Sequence, residues 1–105
     1  KRKPNFHVSF MINVTPNGDC CPANDTPIVP DIGIAASFDP VALDCACVDM
    51  VNTAVKIPGA ALTEFRYKEG SDACTCIHDN ANWRACRKHA AEIGLGKMEY
   101  NLSRL

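Results

Sequence analysis

The spacing of apolar and polar positions divides the chain into a short series of ordered stretches. FHVSFMINVT (6–15) is rich in β-branched and aromatic residues and stops at Pro16-Asn17-Gly18, which predicts a strand followed by a turn. GDCCPANDTPIVPD (18–31) holds three prolines and several Asp and Asn residues, the composition of a long ordered loop. IGIAASF (32–38) is a continuous apolar run of strand length, suited to a sheet covered on both faces. Asp39 then supplies an N-cap and Pro40 the first helical position, so a helix is expected over 40–56, ending at Ile57-Pro58-Gly59. ANWRACRKHAAEI (81–93) reads as a second helix, with Asn80 as cap and Gly94 as its left-handed terminator. MEYNLSRL (98–105) alternates loosely and suits a last strand. The fold class that follows is α/β: a small mixed sheet of about three strands with two main helices packed against it. There is no internal repeat and no low-complexity segment.

On a wheel of about 100° per residue, Leu43, Cys47, Met50, Val51, Ala54 and Val55 share one arc of the first helix, and Asp49, Asn52, Thr53 and Lys56 the opposite one. Cys47 falls in the middle of the apolar arc and reads as a small buried hydrophobe. Cys45 falls among the polar positions, about 200° from Cys47, so the two cannot share a metal on a helix. Asp44 lies on the apolar side, where an unpaired carboxylate is costly. It either ties the 18–31 loop through backbone N–H groups or serves as a ligand or catalytic acid. In the second helix Trp83, Cys86, Ala90 and Ile93 form the expected buried stripe, with Arg84, Arg87 and Lys88 outside.

Composition narrows the function classes. The 105 residues are 47% hydrophobic and 22% charged with a net charge of −1, so no field that would attract nucleic acid is present. Apolar runs break well before the roughly 18 residues that span a bilayer, and no membrane partner is expected. The basic start KRKPNFHVSF leads into a strand rather than a signal-peptide core, and Lys1 reads as a cut within a longer protein, of which this single domain is a fragment.

Seven cysteines are the strongest chemical signal. Their odd number and close spacing (Cys20 with Cys21, Cys45 with Cys47, Cys74 with Cys76, Cys86 apart) fit reduced core or metal-site thiols better than a disulfide scaffold. Cys74, Cys76 and His78 alternate and share a face if extended, and Cys86 and His89 stand one helical turn apart. Together they are a candidate site for a single zinc or iron ion, although not one of the paired C-x-x-C spacings. Cys20 and Cys21 in the loop are a further candidate. Phosphate-binding glycine loops, nucleophile elbows, H-E-x-x-H and the ferredoxin cysteine run are all absent.

The stretch GDCCPANDTPIVPDIGIAASFDPVALDCACVDMVNTA, with the later Trp-led helix and AAEIGLGKMEYNL, resembles the C-terminal region of a family of uncharacterised iron–sulfur proteins of anaerobic bacteria and archaea, a domain-of-unknown-function family. The resemblance implies a cytoplasmic protein connected with electron transfer, whose iron–sulfur clusters sit in a ferredoxin-like part of the same polypeptide. That remainder would be this chain's partner, with the redox partner undefined. Asp31, Asp39, Pro40 and Asp44 match the family motif, which marks the three acids as cofactor-binding candidates. Where the family shows Cys-Asp-Cys, this chain has Gly18-Asp19-Cys20 followed by Cys21; Cys45, Cys47, Cys74, Cys76 and Cys86 lie outside the family pattern.

Three functional readings follow. The first is an iron–sulfur or metal-binding domain linked to electron transfer, with a Cys/Asp site built from the 18–31 loop and the start of the 39–56 helix. The second is a ligand-free docking module of a larger redox protein, which an exposed apolar patch would favour. The third is half of an enzyme active site shared with a missing N-terminal region.

Overall fold

The computed structural model describes residues 3–18, 21–61 and 70–105. Strand β1 (His7–Met11) and strand β2 (Gly33–Ser37) pair antiparallel, with His7 opposite Ser37 and Met11 opposite Gly33. The 18–31 loop between them is fastened by Asn24. Its side-chain amide donates to Thr15 Oγ1 (2.7 Å) and to the Gly18 carbonyl (3.2 Å), and its oxygen accepts from the backbone of Asn17 and Asp25.

Helix α1 (Pro40–Thr53) begins where the sequence predicts, because Asp39 accepts from the backbone N–H of Val41 (2.9 Å) and Ala42 (3.0 Å). It ends three residues earlier than expected. Lys56 folds back and its ammonium donates to the carbonyls of Val51, Asn52 and Ala54, which satisfies the orphan acceptors of the last turn. Residues 74–78, expected to be extended, instead enter a short helix α2 (Ala73–Ile77) capped by Asp72, which accepts from Cys74 N–H. Helix α3 (Trp83–Glu92) starts two residues later than predicted, capped by Asn82 rather than Asn80. Gly94, at φ 79°, ends it in a Schellman turn: Leu95 N–H reaches the Ala90 carbonyl and Gly94 N–H that of Ala91.

Two of the expected strands are present among the described residues. The third, over 98–105, is an irregular tail held to α1 by Tyr100, whose hydroxyl donates to Asp49 (2.5 Å). No helix among the described residues is long and apolar enough to cross a membrane. The buried cluster centres on Ile28, Val29 and Ala73, with Val14, Ile32, Val51, Ala54, Cys76 and Ile77 packed around it.

Helix α1 packs on the sheet, on α3 and along the tail, which changes the expected wheel. Cys45, expected on the polar side, is only 6% exposed because α3 and the tail cover that side. Asp44, expected on the apolar side, is exposed, and Cys47 is half-buried against the sheet with its thiol bonded to Ser9.

Candidate functional site

Alternation along a strand sends successive side chains to opposite faces. Here it sorts them unusually. The face of the β1–β2 ribbon that meets α1 presents His7, Ser9, Met11, Gly33, Ala35 and Ser37, mostly small or polar. The opposite face presents Val8 and Phe10 from β1 and Ile34 and Ala36 from β2, extended at one end by Phe6 and Phe38. Phe10 and Ile34 are both 64% exposed and Phe38 is 74% exposed. Phe6 and Phe38 touch across the strands with ring centroids 5.0 Å apart. The expectation that residues 32–38 lie in a sheet covered on both faces is therefore corrected: within the described structure one face is open. Taking roughly 200 Å² for a whole aromatic side chain, the six residues expose about 600 Å² of nearly uninterrupted apolar surface. That is at the upper end of the largest patch found on ordinary monomers, and such patches mark interaction sites.

The acids predicted to bind a cofactor stand apart from that face and from one another, each with its own partner. Asp31 accepts from the backbone of Asn13 (2.8 Å), a residue held at φ 47°. Asp39 accepts from Val41 and Ala42 through one oxygen and from the Lys97 backbone (2.8 Å) through the other. Burial pushes its carboxyl upward, but these backbone donors and the Lys97 charge outweigh it and hold the group below its usual value. Gly96 lies against the same carboxylate: a Cβ added there would fall 1.9 Å from Asp39 Oδ1. The GLG segment thus crosses the helix start with no room for a side chain at its second glycine. Asp44 reaches neither the loop nor another acid; it meets Arg87 Nε at 3.4 Å while two-thirds of its side chain remains in water.

The sulfur and imidazole candidates disperse as well. Cys20 lies outside the described residues, and Cys21 is exposed. Because residues 74–77 are helical, Cys74 and Cys76 diverge: Cys76 packs on the Ile28–Val29–Ala73 cluster, whereas burial pushes the Cys74 thiol up, with Asp72 adding to the shift. His78 contacts the Pro16 carbonyl through Nε2 (2.9 Å), and Cys86 and His89 lie exposed on α3. The predicted stripe of α3 is corrected too. Cys86 and Ile93 face water, while Arg87, expected outside, is only 7% exposed. Its guanidinium lies 4.0 Å from the centre of the Trp83 ring, with Nη1 buried and without a hydrogen-bond partner among the described residues. No group of three or more His, Cys, Asp or Glu that could hold a metal ion occurs among the described residues. Those residues do not fit an iron–sulfur cluster or a single zinc or iron ion.

Sequence reasoning missed several residues that organise the structure. Asp72 caps α2 through Oδ1, while its Oδ2 accepts from Trp83 Nε1 (2.5 Å) and pairs with Arg84 (3.1 Å). The Ser-Asp pair preceding a short apolar run was its signal. The i, i+4 spacing of Trp83 and Arg87 announces their stacking. The open face was legible in the strict alternation of Phe6, Val8 and Phe10.

Comparison with known proteins adds one finding. No curated protein and no solved structure matches the chain. Residues 2–49, which carry both strands, the loop and most of α1, match the model of a domain of unknown function, DUF362.

Proposed function

We propose that this chain is an interaction module, whose task is to cover the apolar outer face of its sheet against another polypeptide surface. The observation that carries the reading is the inverted distribution of side chains: apart from Met11, small and polar residues face α1, and Phe6, Val8, Phe10, Ile34 and Phe38 face away from it. Burying about 600 Å² at roughly 25 cal/mol per Å² gives a drive of about 15 kcal/mol before the costs of association. The similarity of residues 2–49 to DUF362, together with the resemblance carried by PIVPDIGIAASFDPVALD, supports a setting within an iron–sulfur protein connected with electron transfer. In that setting the clusters belong to another part of the same polypeptide, and this module supplies contact rather than ligands. The dispersal of Asp31, Asp39, Asp44, Cys74, Cys76, His78, Cys86 and His89 favours docking over the metal-binding alternative.

The test uses an environment-sensitive apolar dye on the purified chain at high dilution. Bright dye fluorescence that Phe10→Asp removes, with unchanged circular dichroism, is the expected result. Dark dye at every dilution would refute the reading, and so would one equivalent of iron or zinc protecting several thiols after anaerobic purification.

A further inference from the structure

The open face has the properties of a surface that pairs with itself, and we infer that its occupant is a second copy of this chain, packed sheet against sheet. This inference rests on the interaction reading above and names its partner. Three observations carry it. The first is area. Two copies that cover their faces remove about 1,200 Å² from water, the lower bound of a standard specific interface. The second is charge. None of Phe6, Val8, Phe10, Ile34, Ala36 and Phe38 is ionisable, so two copies of the patch bring no like charges together.

The third is relief. Along β2 and the residue after it the exposed positions run Ile34, Ala36, Phe38, so Ala36 is a hollow between two larger side chains, with Val8 opposite it across the strands. On β1 and the residue before it, Phe10 and Phe6 flank Val8 in the same way. The patch therefore holds both projections and a depression. A two-fold axis brings each to its complement: what Phe10 of one copy does to Ala36 of the other, the second copy's Phe10 does in return. Sheets packed this way lie about 10 Å apart with strands near 30°. Both faces of β2 are then covered.

The experiment is sedimentation velocity on the full 105-residue chain, from roughly 1 to 100 µM, with dye fluorescence read on the same samples. The expected result is a monomer–dimer equilibrium in which dye fluorescence per chain falls as dimer forms. Phe10→Asp and, separately, Ile34→Asp should weaken association at least about tenfold while circular dichroism is unchanged. Should either variant lose its fold, the concentration-dependent loss of dye in the unmodified chain still decides. A monomer that binds dye across the range overturns the second copy and leaves the interaction face standing. A monomer that binds no dye overturns both. A dimer indifferent to both substitutions, or one that keeps its dye, places self-association elsewhere and overturns the inference.

Discussion

Gly96→Ala tests how the C-terminal segment is locked to the start of α1. The glycine is required by space rather than by backbone conformation, since an added Cβ would sit 1.9 Å from Asp39 Oδ1 and 2.9 Å from Oδ2. Both oxygens are committed, one to the first turn of α1 and one to Lys97 N–H, so the carboxylate cannot move aside without releasing a donor. Overpacking of this kind costs about 1–3 kcal/mol, and losing the cap alone costs about 1 kcal/mol. We expect Gly96→Ala to destabilise by about 2 kcal/mol, which lowers the melting temperature by roughly 8–16 °C for a domain of this size. The informative assay is a double-mutant cycle in urea. Asp39→Ala removes both the cap and the clashing oxygens, so Gly96→Ala in that background should cost almost nothing. A coupling energy of at least about 1 kcal/mol is the expected outcome. Strict additivity of the two substitutions would refute the reasoning, because it would mean that the side chain at 96 never meets the carboxylate.

Other outcomes follow from the same geometry. Arg87→Met should be neutral or stabilising in thermal unfolding, since it keeps the stem on Trp83 and removes a buried donor without an acceptor; a loss above about 2 kcal/mol would show that the guanidinium is needed. Asp44→Asn should shift stability by less than about 1 kcal/mol, because most of its carboxylate stays in water. The hydrogen bond to Asp49, aided by burial, pushes Tyr100 up to about 12. Its contribution is complete below the unfolded phenol's value near 10 and is lost as pH climbs through about 12; absorbance titration of Asp49→Asn should bring Tyr100 back toward 10. Asp39 acts in the opposite window: its lowered carboxyl stabilises the fold above the usual value of 3.8 and the contribution disappears as pH falls through the depressed one. Acid unfolding of Asp39→Asn should be correspondingly flatter there. Alkylation read by peptide mass spectrometry should label Cys21 and Cys86 first and Cys45 last, following exposure and the upward push of burial on the Cys45 thiol.

What the sequence disclosed was set by local rules. Asp39-Pro40 announces α1, and Gly94 ends α3, because caps and left-handed turns depend on residues close in the chain. The β-branched and aromatic content before Pro16-Asn17-Gly18 marks β1 in the same local way. What stayed hidden depended on neighbours distant in sequence. A wheel drawn for α1 alone assigns Cys45 to water, and only the packing of α3 and the tail buries it. Arg87 reads as surface because an arginine's apolar stem and stacking plane are invisible to a polarity count. CTCIH alternates as a strand would, yet Asp72 two residues upstream supplies the cap that turns it into α2. The acids at 31, 39 and 44 stood out as a set, but each resolves into a separate bond to Asn13, to the GLG crossing and to Arg87.

The surroundings of Trp83 carry a spectroscopic consequence. It is the sole tryptophan of the chain, and its indole nitrogen is tied to the residue that caps α2 while the guanidinium groups of Arg84 and Arg87 lie against its ring. Arg87 in turn meets α1 through Asp44. One emission band therefore reads the mutual seating of α1, α2 and α3 at once. Any event that loosens one of them is recorded by the chromophore already built into the chain, with no label introduced.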